Sequence, residues 1–327
     1  MPNTKKKFCL RSFWDTLRLG ILSALMNHRL PSGIRVHEET GRAVRLRTYT
    51  SSGSHCPVVV LHGITTRGFN DHRLVNFCHV LAAVGFRVYT PDLDGLRNLK
   101  ITPSDIDLVC RSVQEAYNQN NKKVGIIGFS FGGTYGLIGA ASPEIREKVR
   151  FVLAAGAYWS LENITHYTFK TPQTDPYARL ALMSEELECL NLNSGEKQMY
   201  LKIMNEFCAR KDRFTPEEQL LIKKITASPA LSEVLEHWNQ KLKQLSMLSL
   251  SGNTYLDDLQ AEVLLLHSKG DEVIQVSETE AILAYLKNAG KNAACCLSGN
   301  SGHMEYLDGE RTGLFGLFYH MMKLKNH

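Results

Sequence analysis

The stretch Val124-Gly125-Ile126-Ile127-Gly128-Phe129-Ser130-Phe131-Gly132-Gly133 decides how the rest of the chain is read. Its first four residues make a short apolar run of the kind that forms a buried strand, and Gly133, Gly136 and Gly139 then recur at helical spacing. Between them Gly128 to Gly132 fits G-x-S-x-G, a pattern that chance supplies in about one chain in ten of this size. The context adds weight. Small residues on both sides of Ser130 permit a strained strand-to-helix turn, which lifts the hydroxyl off the backbone and aims a helix N-terminus at a reacting oxygen. A glycine-rich helix start packed closely on a sheet, with no chemistry, is the competing reading until partners for Ser130 are found.

Outward from this turn the chain alternates wholly apolar strands, at 58–61, 86–90, 124–127, 149–155, 263–267 and 293–297, with helical segments at 71–84, 104–119, 131–141, 277–289 and 309–324. That rhythm marks a parallel sheet buried on both faces. Residues 34–37 and 43–49, separated by a turn containing Gly41, read as an antiparallel hairpin that opens the sheet. One connection breaks the rhythm: 158–256 spans 99 residues where a crossover needs about a dozen. Its segments 176–190, 195–210, 216–225 and 231–245 are rich in Leu, Glu, Lys and Met, and Thr215, Pro216 and Glu218 form a capped helix start. The expected fold is therefore α/β: an eight-stranded, mostly parallel sheet flanked by helices. Residues 31–157 and 257–327 form the core, 158–256 a helical cap, and 1–30 an N-terminal amphipathic segment.

Composition narrows the class. Hydrophobic residues at 43% and charged residues at 22% describe a folded chain rather than a disordered or collagen-like one. The net charge of +5 is dispersed apart from Lys5 to Lys7, which argues against nucleic acid. The eight cysteines show no C-x2-C pairs, so they read as reduced core thiols rather than a zinc site or disulfide framework. Lys5 to Lys7 followed by apolar residues imitates a signal peptide, but Arg11, Asp15 and Arg18 interrupt it, and no uncharged apolar run is long enough to span a bilayer. A cytoplasmic protein is expected. Leu10, Phe13, Trp14, Leu17, Ile21, Leu22 and Leu25 fall on one helical stripe. That stripe either docks on its own domain or touches an anionic membrane surface.

Serine needs a base, itself oriented by a carboxylate. Asp271 lies four residues beyond the 263–267 strand and His303 lies in a glycine-containing loop after the last one, so Ser130, Asp271 and His303 each follow a different strand. Loops leaving the carboxyl ends of parallel strands converge on one edge of the sheet, where ligands bind. Each partner also has a plain explanation, a turn-capping Asp and a solvated loop His, and Glu272 is the rival for the acid. After the 58–61 strand comes His62-Gly63-Ile64-Thr65-Thr66-Arg67-Gly68, a turn suited to aiming a backbone N–H at an oxyanion, with Ile64 and Phe131 as the donors. His62 itself reads as structural because it sits at the end of the strand.

On these residues, together with Pro91-Asp92-Leu93-Asp94-Gly95 after the second parallel strand, the sequence resembles a serine hydrolase of the α/β-hydrolase fold, over residues 34–157 and 258–327. The resemblance implies esterase- or lipase-like acyl transfer through an acyl-enzyme on Ser130, and neither a cofactor nor a metal. Aromatic and apolar residues at the entry to the cap, Tyr158 and Trp159 first among them, favour an ester or thioester with an apolar acyl chain as the small-molecule partner. A C–C bond hydrolase or an acyltransferase would use the same three residues, and a non-catalytic binding protein on this fold is the third alternative. The oligomeric state has no signature in the sequence.

Overall fold

The computed structural model describes residues 10–25, 30–40, 44–171, 175–190, 192–206, 214–243, 250–251, 255–303 and 311–326. Its eight strands are β1 (Arg35–Thr40), β2 (Arg45–Thr50), β3 (Cys56–Leu61), β4 (Phe86–Pro91), β5 (Val124–Phe129), β6 (Val149–Ala155), β7 (Glu262–Gly270) and β8 (Ala293–Ser301). They form one sheet in the order β1-β2-β4-β3-β5-β6-β7-β8. The β1–β2 and β2–β4 pairs are antiparallel and the others parallel, as the hairpin and the apolar strands require. The helices, in chain order, are α1 (Leu10–Leu25), α2 (His72–Ala83), α3 (Asp94–Arg97), α4 (Ser104–Asn120), α5 (Phe131–Ala141), α6 (Leu161–Lys170), α7 (Pro176–Met183), α8 (Ser194–Glu206), α9 (Pro216–Ile225), α10 (Ser228–Leu242), α11 (Val276–Asn288) and α12 (Arg311–Asn326).

Alternation along each strand divides the core in two. Val59, Leu61, Val124, Ile126, Val152 and Leu265 face a cluster with Val109 and Val113 of α4, Leu137 of α5 and Ile282 of α11. Val58, Val60, Ile127, Leu153 and Leu264 face the other cluster, with Cys78 and Leu81 of α2 and Met321 and Met322 of α12. Among the described residues the inserted helices share the core of the sheet: Leu180, Met183, Tyr200, Ile203, Val234 and Trp238 belong to the same cluster as the first sheet face. The Thr215 capping box forms as its sequence predicts, with the hydroxyl accepting from Glu218 N and the Glu218 carboxylate accepting from Thr215 N.

The N-terminal helix docks on its own domain. Leu19 is buried in the second cluster, Ser12 Oγ donates to Met322 O, and Lys325 Nζ reaches Asp15 Oδ2 at 2.9 Å. Trp14 stays 58% exposed on the outer side. Residues 1–9, including Lys5 to Lys7, lie outside the described residues. Cys56, Cys78, Cys110, Cys295 and Cys296 are free thiols, in keeping with the reduced-core reading. Cys9, Cys208 and the side chain of Cys189 fall outside what the structure describes. Among the described residues no helix is long and apolar enough to cross a membrane.

Candidate active site

Ser130 is the single residue between β5 and α5, at φ 54°, ψ −126°. A positive φ on a non-glycine residue costs about 1–3 kcal/mol and persists only where its surroundings enforce it. Here Ser130 N donates to Ala155 O at 2.7 Å and Gly133 N donates to Ser130 O at 2.8 Å. The flanking glycines are steric requirements: a Cβ on Gly128 would sit 2.2 Å from the Gly132 carbonyl oxygen, and one on Gly132 would sit 2.3 Å from the His62 carbonyl oxygen. All of α5 is buried, so the serine is presented from a rigid support.

The β3 turn lies directly against this serine. A Cβ on Gly63 would come within 3.0 Å of both Ser130 Cβ and the Phe129 carbonyl oxygen. His62 is buried, with Nε2 accepting from Leu93 N at 3.0 Å and Nδ1 facing Gly63 O at 2.7 Å, so it is the Nδ1–H tautomer and both nitrogens are used in structure. Burial pushes its pKa down. Thr65 N donates to Leu96 O, and the hydroxyl of Tyr177, from α7, donates to Ile64 O at 3.0 Å. Phe131 N is the first amide of α5, with no preceding helical carbonyl to bond. The Ile64 and Phe131 amides thus belong to two fixed backbone segments flanking Ser130.

Asp271 sits in the turn after β7. Its Oδ1 accepts from Val273 N at 2.8 Å and Ile274 N at 2.9 Å, and its Oδ2 is 2.7 Å from His303 Nδ1. Burial works to raise the pKa of this carboxyl, but His303 and His267 overcome it and hold it well below the usual carboxylate range. Gly302 N donates to Gly270 O, which ties the histidine loop to the aspartate turn. Glu272, the rival acid, is exposed. The structure therefore joins Asp271 to His303; among the described residues it records no hydrogen bond between Ser130 Oγ and His303. No group of His, Cys, Asp and Glu suited to a metal ion occurs among the described residues.

Tyr158 and Trp159, expected near the substrate, are engaged by the protein itself. Tyr158 is fully buried, its ring tilted on that of Phe131 with centroids 5.0 Å apart, and its hydroxyl donates to Leu250 O. Trp159 packs on Tyr285 at 5.1 Å. Two further residues here, His267 and Glu278, were not singled out from sequence, and a third, Tyr177, was expected there only as one of the aromatic residues at the cap entry. His267 stands beside Asp271. Tyr177 reaches the Ile64 turn from the insertion. Glu278 of α11 accepts from Trp159 N at 2.9 Å, Ser160 N at 2.8 Å and Asn163 Nδ2 at 3.1 Å, so it fixes the start of the insertion. His267 carried a signal of its own, a histidine ending an apolar strand four residues before Asp271; the hydrogen bonds of Tyr177 and Glu278 join residues more than a hundred apart.

Residues 58–307 match the family model described as the alpha/beta hydrolase family. No curated protein matches the sequence. Among solved structures, the acylaminoacyl peptidase of Pyrococcus horikoshii aligns at a TM-score of 0.57 and 11% identity over 92% of this chain, which spans only 42% of that protein. Brefeldin A esterase, a bacterial homologue of human hormone-sensitive lipase, aligns at 0.57 and 13% over 99% of this chain and 95% of its own. An esterase from Pyrococcus furiosus aligns at 0.55 and 13% over 99% and 96%.

Proposed function

The chain belongs to the alpha/beta hydrolase family, and from that premise we propose that it is a serine hydrolase acting on carboxylic esters or thioesters with an apolar acyl chain. The observation that carries this reading is the 2.7 Å bond between Asp271 Oδ2 and His303 Nδ1, formed at the same sheet edge as the strained Ser130 turn. In this reading Nδ1–H of His303 donates to Asp271, leaving Nε2 as the base. Neutral His303 removes the Ser130 proton as Oγ attacks the carbonyl carbon, and Asp271 stabilises the resulting imidazolium. The Ile64 and Phe131 N–H groups hold the oxyanion, a contribution of about 10²- to 10³-fold in turnover per donor. The imidazolium then protonates the leaving group, and water repeats the sequence on the acyl-enzyme. Contacts between Ser130 and the histidine that are long in an unliganded enzyme tighten when substrate binds.

Residues 158–256 act as the cap in this proposal, shaping the acyl site above the sheet edge, with an anionic membrane surface as a second partner through α1. A fluorophosphonate label lost in Ser130→Ala, combined with turnover of p-nitrophenyl esters of increasing chain length, tests the reading. No Ser130-dependent labelling and no turnover of any ester or thioester would overturn it. Because the acylaminoacyl peptidases share the fold, an N-acyl aminoacyl anilide belongs in the same panel.

A further inference from the structure

His267 ends the apolar run of β7 with its side chain fully buried, yet its ring meets polar partners at both nitrogens. Nε2 lies 2.8 Å from the Ile274 carbonyl oxygen and 3.3 Å from Asp271 Oδ2, while Nδ1 lies 2.6 Å from Thr279 Oγ1. A carbonyl oxygen can only accept, so Nε2 carries a hydrogen, and that N–H, bonded to Ile274 O, also lies within ion-pair distance of the oxygen that His303 uses. Nδ1 faces a hydroxyl that can give or take a proton, and Thr279 Oγ1 is itself 3.4 Å from Ala157 O. A polar chain thus runs from the end of β6 through Thr279, His267 and Asp271 to His303. The mechanism above uses only its last two members.

Resting on the reading of Ser130, Asp271 and His303 as nucleophile, acid and base, we propose that His267 is a positioning residue of the same site: its Nε2–H holds Asp271 and shares the charge on Oδ2, and so sets the pH at which His303 becomes the neutral base. Beside its bonds to Ile274 O and Thr279, His267 is placed to act on Oδ2, since the Val273 and Ile274 amides already satisfy Oδ1 and, among the described residues, the two histidines are the groups that address Oδ2. The sign follows from electrostatics. Without the second donor, Oδ2 interacts more strongly with His303 Nδ1–H, the imidazolium is favoured, and the acid limb of kcat/KM moves to higher pH. Asp271 keeps three donors in that case and stays ionised. The other titratable groups facing this carboxylate, Glu272 in the same turn and Tyr167 from α6, are unchanged by the variants below, and Glu278 of α11 is occupied by the α6 amides.

Two near-isosteric variants separate positioning from packing. His267→Asn keeps a polar group toward Thr279 but withdraws the donor from Asp271, whereas His267→Gln places an amide N–H where Nε2 was. In Ser130→Ala protein, imidazole NMR should show His303 titrating about half a pH unit or more higher in His267→Asn, with His267→Gln close to the parent. In the Ser130 protein the acid limb should shift alike, lowering kcat/KM about 3-fold or more below it while leaving KM nearly unchanged. Should His267→Asn not fold, Thr279→Val must move the midpoint the same way by less. Equal His303 midpoints in all folded variants would overturn the proposal. Because the NMR titration needs no turnover, a shifted midpoint in a protein that hydrolyses nothing would keep His267 in its role and overturn the hydrolase reading instead.

Discussion

Ser130 holds a backbone conformation that its own side chain disfavours, and two glycines make room for it. Ser130→Ala should therefore leave the thermal midpoint nearly unchanged while turnover falls by several orders of magnitude, and Ser130→Ala with His303→Ala should lose little more than either alone, because the two act as a unit. Additive losses in kcat would show independent roles. Glu272→Gln should be mild beside Asp271→Asn. Gly132→Ala makes a different prediction: its Cβ would press on the His62 carbonyl at 2.3 Å, a backbone clash that costs about 1–3 kcal/mol or more in urea unfolding. His62 adds a pH dependence. Its folded-state pKa is lowered by burial, so the unfolded chain takes up its proton first as pH falls below about 6.5. The contribution of neutral His62 is present above that pH and lost below it, and a stability–pH curve should bend down there.

Between elements, the sharpest contacts are those that hang the inserted helices on the sheet. Glu278 binds two amides at the start of α6, Ser184 Oγ donates to Leu99 O, Ile101 N donates to Glu185, and Tyr177 reaches Ile64 O. Glu278→Ala leaves partly buried N–H groups unpaired at a cost of about 1 kcal/mol, so limited proteolysis should cut first near residue 160. Tyr177→Phe removes one hydroxyl from the oxyanion turn and should lower kcat more than it raises KM. An equal effect on labelling and on ground-state binding would assign that bond to folding alone. Exchange of 158–256 for a short Gly-Ser linker should flatten the chain-length profile, although the insertion shares its core with the sheet, so a soluble product must be checked by circular dichroism before its profile is read.

For the whole molecule, the question is what α1 does. Lys325 is 5% exposed, paired with Asp15 and placed over the Phe86 ring at 5.4 Å, so α1 and α12 close the second core cluster together. Deleting residues 1–26 should lower the thermal midpoint by several degrees. If exposed Trp14 and the leading lysines also meet a membrane, the full chain will co-sediment with anionic liposomes at low salt and be released as salt rises. Absence of binding at low salt would leave α1 as a brace alone.

The eight strands, their direction and the long helical connection were legible in the sequence, and Ser130, Asp271 and His303 stood out there as candidates, because short apolar runs, glycine spacing and residue order are local or nearly local signals. The stripe on α1 marked a helix but left docking and membrane contact open; the structure seats α1 on α12 through Ser12, Thr16 and Leu19, residues outside that stripe, and leaves Trp14 and Leu17 exposed. Tertiary structure alone decided which carboxylate pairs with His303. Asp271 and Glu272 are adjacent, and only the path of the turn after β7 buries one and exposes the other. It also decided that Tyr158 packs on Phe131, that the insertion shares the core of the sheet, and that His267 and Glu278 are held in polar positions. Each of those contacts joins elements whose separation along the chain carries no periodic signature. Their partners are chosen by where β6, β7 and α11 come to rest against one another, and a buried polar side chain is stable only where such packing supplies its donors and acceptors.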